Sequence, residues 1–166
     1  MAKASGVFLS VGSNLGDRLY NLRTALAQLP SHGVWIIRCS SVIESEPLDL
    51  VEQPPFLNLV CEVQTSATPE ELLGACHAVE QASGRVRSVP KGPRSLDIDI
   101  LYYGGLVHSC ANLEVPHPRL TMRRFVLIPL AQIAPAFRDP RTGETVAELL
   151  SKCPDRSLVR RLDSDP

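Results

Sequence analysis

Apolar and polar positions divide the chain into a short series of elements. Residues 7–11, Val-Phe-Leu-Ser-Val, are an apolar run closed by Gly12-Ser13-Asn14, which predicts a first strand. Leu19, Leu22, Leu26 and Leu29 then recur at helical spacing, and Pro30 closes that helix. Positions 34–45 alternate and predict one long strand with Trp35, Ile37, Cys39 and Ile43 on a shared face. After a loop rich in acid and proline over 46–55, a second alternating strand places Leu57, Leu59, Cys61 and Val63 together. Thr68 as cap, Pro69 at the first position and Glu71 to complete a capping box open the next helix, and Gly84 stops it. Its buried stripe is Leu72, Cys76 and Val79. A third alternating strand spans 96–103 and ends at Gly104-Gly105. A short helical region from Thr121 and a terminal helix near 145–151 follow. The closing residues 155–166 mix both charges and are expected to form a loosely ordered tail.

The order strand, helix, strand, strand, helix, strand predicts an α+β fold. The expected arrangement is a ferredoxin-like β-α-β-β-α-β antiparallel sheet with helices on one face, plus C-terminal additions. At 166 residues the chain suits a single domain over 1–166, large enough to bury roughly 68–70% of its unfolded surface. Its composition, 44% apolar and 21% charged, is that of an ordinary globular protein.

Charge and cysteine content narrow the classes. Seventeen basic and 18 acidic residues leave a net charge of −1, so neither nucleic acid nor an anionic membrane is expected as a partner of the whole surface. The five cysteines, Cys39, Cys61, Cys76, Cys110 and Cys153, include no C-x-x-C pair, which argues against a disulfide framework or a cysteine zinc site. No apolar run is long enough for a signal core or a bilayer span, and a cytoplasmic location is expected.

The clearest candidate chemistry lies in Leu96-Asp97-Ile98-Asp99-Ile100. In a strand, Asp97 and Asp99 share one face while the apolar residues take the other. Adjacent carboxylates repel unless a cation lies between them, and Mg²⁺ is the natural one, although D-x-D also occurs on plain wet strands. Just before the pair come Arg85, Arg87, Lys91 and Arg94 with no acid among them. Cations beside a metal-binding pair suit a polyphosphate, with metal on some oxygens and arginine forks on others. There is no G-x-x-x-x-G-K-[ST] loop, and Gly12-Ser13-Asn14-Leu15-Gly16-Asp17 has the wrong spacing for a dinucleotide fingerprint; it reads as a turn with a helix start. His117 sits in a loop near Arg119, Arg123 and Arg124, within reach of a phosphate role. His32, His77 and His108 show no ligand spacing. Phe56 with Asn58, and Phe125 after Arg123-Arg124, are the pieces of a slot for a flat heterocycle; two core phenylalanines are the simpler account of the spacing alone.

Several segments together resemble one family. They are residues 10–17, Gln53-Pro54-Pro55-Phe56-Leu57-Asn58, Glu80 with Gly84-Arg85-Val86-Arg87, and Gly92-Pro93-Arg94-Ser95-Leu96-Asp97-Ile98-Asp99-Ile100, continued by Val115-Pro116-His117-Pro118-Arg119 and Arg123-Arg124-Phe125-Val126-Leu127. Over about residues 7–135 the chain resembles 6-hydroxymethyl-7,8-dihydropterin pyrophosphokinase. The resemblance implies transfer of pyrophosphate from ATP to the pterin hydroxymethyl oxygen, with ATP and a reduced pterin as small-molecule partners. It implies two Mg²⁺ ions on Asp97 and Asp99, and Arg85 and Arg94 against the transferring group. His77, Glu80, Arg87, Lys91, Ile100, His117 and Arg123 would serve ATP. Phe56 and Phe125 would sandwich the pterin, Asn58 would read its edge, and Ser45, Pro47 and Leu48 would complete its pocket. The assembly implied is a monomer or weak dimer.

The chain departs from the family pattern at Asp49, where a glycine is frequent, and at Lys91, where an aromatic is. It departs also at Pro118, where a tyrosine sometimes follows the histidine, and at Phe56, which replaces a common tyrosine. Competing readings are another Mg²⁺-dependent nucleotidyl or phosphoryl transferase, and a non-catalytic ferredoxin-like nucleotide-binding module.

Overall fold

The computed structural model describes residues 2–47, 52–84 and 94–166. Its elements are β1 (Ala4–Ser13), α1 (Arg18–Gln28), β2 (Val34–Cys39), β3 (Ile43–Ser45), β4 (Phe56–Thr65), α2 (Pro69–Ala82) and β5 (Asp97–Tyr103). They continue with β6 (His108–Ser109), β7 (Glu114–Val115), α3 (Arg124–Ile133), α4 (Val146–Lys152) and β8 (Val159–Arg161). The main sheet runs β5-β1-β4-β3-β8, with β2 also on β4. Every pairing in it is antiparallel. β6 and β7 make a separate hairpin.

Local chemistry explains the element boundaries. Asp17 caps α1 by accepting from Tyr20 N, and Thr68 with Glu71 forms the expected capping box on α2. Gly84 follows α2 at φ 80°, a left-handed conformation that glycine reaches without strain.

Helices α1 and α2 share one face of the sheet, and the C-terminal additions α3 and α4 cover the other, a placement the expectation left open. On one face Val7, Leu9 and Val11 of β1 pack with Leu57, Leu59, Cys61 and Val63 of β4, and α1 and α2 supply Leu22, Leu72, Cys76 and Val79. On the other, Phe8, Val60, Leu101 and Tyr102 pack beneath Val126, Leu127 and Leu130 of α3 and Val146 and Leu149 of α4. The apolar run in β1 carries the reason, since a strand without alternation has no face left for water. The second core holds a ring cluster in which Phe8 and Phe137 lie 5.0 Å apart between centroids, and Tyr102 and Phe137 lie 4.8 Å apart.

Two expectations change. The strand expected over 34–45 is broken: Ser40 N donates to Val60 O and Ser40 Oγ accepts from Val60 N, bending the chain between β2 and β3. A register shift between Ile36 and Arg38 also inserts one extra residue in β2. Val34, Ile36 and Cys39 therefore turn to the core, while Trp35 and Ile37 are 53% and 52% exposed. The expected loose tail instead supplies β8, which pairs with β3 from Ile43↔Arg161 to Ser45↔Val159. Asp155 holds that segment, accepting from Arg124 N at 2.9 Å. Among the described residues no helix is long and apolar enough to cross a membrane.

Candidate active site

Three adjacent strands present one row of residues. Gly12 of β1 lies opposite Asn58 of β4 on one side and opposite Asp97 of β5 on the other. Two residues back, Ser10 lies opposite Asp99. A Cβ on Gly12 would stand 2.5 Å from Asn58 Oδ1, so the absent side chain is what admits Asn58 to this position. Asn58 Nδ2 donates to Ser45 Oγ at 2.9 Å, which orients the amide.

This row forms the floor of a cavity of about 100 Å³ lined by Ser45, Pro47, Phe56, Asn58, Phe125 and the two aspartates, among others. Arg94 and Arg123 reach the same cavity, and the Arg123 guanidinium carbon lies 5.7 Å from the Phe125 ring centroid. A wider cavity of about 690 Å³ includes His77, Glu80, Ile100 and His117 in its wall. Asp97 and Asp99 line both. The carboxylate pair thus stands where a ring-lined slot meets a larger polar space.

The electrostatics follow from burial and near neighbours. Burial, with the adjacent Asp97 charge, pushes Asp99 up to about 7, against the opposing pull of Arg123. Asp97 Oδ2 accepts from Arg94 Nη1 at 2.8 Å. The two carboxylates on one face of β5 make an oxygen donor set that fits a hard divalent cation. Burial, reinforced by Arg123 and Arg119, brings His117 down to about 4. Its Nδ1 accepts from Arg119 N at 3.1 Å, so the neutral ring carries its proton on Nε2, free to act as a donor.

Among the sequence candidates, Arg94, Asp97, Asp99, His77, Glu80, Ile100, His117, Arg123, Ser45, Pro47, Phe56, Asn58 and Phe125 all line one or both cavities. Phe56 and Phe125 therefore both line the slot, and Phe125 packs against the second core as well. Leu48, Arg85, Arg87 and Lys91 lie outside the described residues. Glu80 is only 3% exposed, and its Oε1 accepts from Ile98 N, the amide between the two aspartates, at 2.9 Å.

Sequence reasoning passed over Asn14 as part of a plain turn. Its side chain is buried and joins three segments: Nδ2 donates to Gln53 Oε1 and Pro54 O, each at 3.0 Å, and Oδ1 accepts from Arg94 N at 2.8 Å. The available signal was an amide at a strand end, the residue type suited to bridging loop backbone.

Fold and site together define an α+β protein in which one carboxylate pair serves two cavities. A model of the 7,8-dihydro-6-hydroxymethylpterin-pyrophosphokinase (HPPK) family matches residues 8–135. The 2-amino-4-hydroxy-6-hydroxymethyldihydropteridine pyrophosphokinase of Pseudomonas aeruginosa is 38% identical over 157 residues, covering 93% of this chain and 95% of that protein. The folic acid synthesis protein fol1 of Pneumocystis carinii is 39% identical over 152 residues, covering 92% of this chain. Of that longer relative the chain spans 20%, and of its Schizosaccharomyces pombe counterpart 21%. A crystal structure of an HPPK-DHPS in complex with substrates superposes with a TM-score of 0.72 at 13% identity, over 91% of this chain and 43% of that one, a likeness of fold. The chain belongs to the HPPK family.

Proposed function

We propose that residues 1–166 act as one unit that transfers pyrophosphate from ATP to the hydroxymethyl group of 6-hydroxymethyl-7,8-dihydropterin, giving AMP and the pterin pyrophosphate. The observation that carries this reading is the placement of Asp97 and Asp99 in the wall shared by a ring-lined slot and a wide polar cavity. Pyrophosphokinase relatives at about this chain's length support it. In the slot, Phe56 and Phe125 flank the pterin and Asn58, held by Ser45, reads its polar edge beside Pro47. In the wide cavity the neutral His117 donates from Nε2 to phosphate oxygen, alongside His77, Glu80 and Ile100, while Arg123 reaches the phosphates from the slot.

The hydroxymethyl oxygen attacks the β-phosphorus, the bond from that phosphorus to the α–β bridging oxygen breaks, and AMP departs with that oxygen as the hydroxyl proton is released. Such a step needs placement and charge neutralisation and no covalent nucleophile. Arg94, anchored on Asp97, supplies a cation at the junction of the cavities. Asp97 and Asp99 would hold two Mg²⁺ ions, which supply charge neutralisation for the triphosphate when bound. Leu48, Arg85, Arg87 and Lys91 keep their assignments from the family resemblance: Leu48 in the pterin pocket, Arg85 with Arg94 against the transferring group, and Arg87 and Lys91 toward ATP.

The sheet order β5-β1-β4-β3 with two crossing helices supports the ferredoxin-like form of the α+β fold. Small soluble substrates accord with a cytoplasmic protein acting as a monomer or weak dimer. The test is incubation with ATP, Mg²⁺ and the hydroxymethyl dihydropterin. AMP and pterin pyrophosphate in equal amounts are expected; ADP, or no turnover, overturns the reading.

A further inference from the structure

Glu70, His108 and Cys110 converge outside the carboxylate site. Their ligand atoms all lie within 4.8 Å of one another. His108 Nε2 is already 2.8 Å from Glu70 Oε1. Tetrahedral zinc with bonds of about 2.0–2.3 Å sets its donors roughly 3.3–3.8 Å apart, so only side-chain rotation is needed to close the set.

The backbones beneath these side chains are held independently. Glu70 lies in the first turn of α2, where the Thr68–Glu71 capping box fixes the helix start. His108 pairs with Val115, which is fully buried, and Cys110 N donates to Leu113 O at 2.8 Å to close the hairpin. His108 and Cys110 are two apart on an extended segment and so share a face, which here is turned to α2. Tyr103, just before the hairpin, donates through its hydroxyl to Ala67 O beside the helix start. Glu70 and Cys110 stand in the wall of the wide cavity.

We propose that Glu70, His108 and Cys110 form a binding site for a divalent transition metal of the zinc class, at the wall of the wide cavity and distinct from the Asp97–Asp99 pair. One sulfur, one imidazole nitrogen and one carboxylate oxygen select zinc or cobalt over Mg²⁺, which prefers oxygen alone. On binding, the Cys110 thiol releases its proton to solvent, the thiolate and the neutral His108 nitrogen bond the metal, and Glu70 exchanges its contact with His108 for the ion. Three protein donors leave a fourth position for water. The ion then ties the β6–β7 hairpin to α2 across the wall of the wide cavity.

The test uses the full chain in excess Mg²⁺, so that hard oxygen sites are filled, and titrates Co²⁺ and then Zn²⁺. One Co²⁺ per chain with a thiolate-to-cobalt charge-transfer band, displaced by Zn²⁺, is expected. Cys110→Ser should abolish the band, and His108→Ala and Glu70→Gln should each weaken Zn²⁺ binding by about 10- to 100-fold. All three residues are at the surface, so the circular dichroism of the metal-free variants should match the parent. Absence of binding, or a band that persists in Cys110→Ser through one of the other four cysteines, overturns the proposal. So does Zn²⁺ affinity unchanged in His108→Ala and Glu70→Gln.

Discussion

Glu80 Oε1 accepts a hydrogen bond from Ile98 N at 2.9 Å, so a buried carboxylate on α2 holds the backbone N–H of the residue that lies between Asp97 and Asp99. The bond fastens the strand carrying the acidic pair to the helix beside it. Replacing Glu80 with Ala leaves that amide without this acceptor in a buried setting and should cost about 1–3 kcal/mol of stability. Turnover should fall with it, because the two aspartates lose their common anchor. Glu80→Gln retains an oxygen acceptor at the same position and should recover most of the lost stability. Thermal unfolding of the two variants beside the parent checks the difference; equal loss in both would assign the effect to the charge of Glu80 and not to this bond.

Gly12 controls the ring-lined slot through what it lacks. A Cβ there meets Asn58 Oδ1 at 2.5 Å, and Asn58 is the amide held by Ser45. Gly12→Ala must therefore displace the Asn58 side chain. Misplacement of a positioning group by about 1 Å typically costs about 10²-fold, and a loss of that order is expected in kcat/KM for the pterin. Nucleotide affinity should hold, because the wide cavity does not include Gly12. Separate titrations of pterin and of a non-hydrolysable ATP analogue check the asymmetry.

Tyr102 and Asp139 tie the second core together. The phenol donates to Asp139 Oδ2 at 2.7 Å, and Asp139 is 3% exposed. Its other oxygen is taken by Arg141 N and Thr142 N. Tyr102→Phe keeps the ring against Phe137 but removes the donor to one buried carboxylate oxygen. The expected loss is about 1–3 kcal/mol, which for a chain of this size corresponds to roughly 2–4 °C in Tm per kcal/mol. Activity at temperatures well below the transition should be unchanged, since neither residue lines either cavity.

Strand order, helix caps and the acidic pair were legible because each rests on local pattern. Period-two alternation in Leu57, Leu59, Cys61 and Val63 and the Thr68–Glu71 box need no tertiary information. The face presented by β2 was not legible, because the single extra residue near Ile37 reverses the phase of everything after it. Coverage of the second face by α3 and α4 was hinted at by the apolar Val7-Phe8-Leu9 of β1 and only visible once Phe8 met Phe137. Within the site, Asp97, Asp99 and the rings of Phe56 and Phe125 stood out as residue types. Asn14 did not, since its role lies in bonds to Gln53, Pro54 and Arg94, up to 80 positions away. His108 and Cys110 make a set only with Glu70, from a helix 38 positions earlier than His108.

His117 carries a pH dependence whose sign follows from its environment. Burial and the charges of Arg123 and Arg119 hold its ring at about 4 in the folded chain, with Asp97 and Glu114 pulling weakly the other way. In the unfolded chain a histidine titrates near the ordinary value of about 6.5. Between these two values the unfolded state binds the extra proton, so stability must rise with pH across that window and fall as pH drops from about 6.5 to about 4. Above about 6.5 both states are neutral and the ring contributes no slope. His117→Asn removes this titration while keeping a polar side chain near Arg119. The difference in Tm between parent and variant should therefore be flat from about pH 7 upward and shift in the variant's favour as pH falls from about 6.5 toward 4. Thermal melts at half-unit pH intervals measure it; a difference that stays constant through the window would mean that the folded ring accepts a proton as readily as the unfolded one.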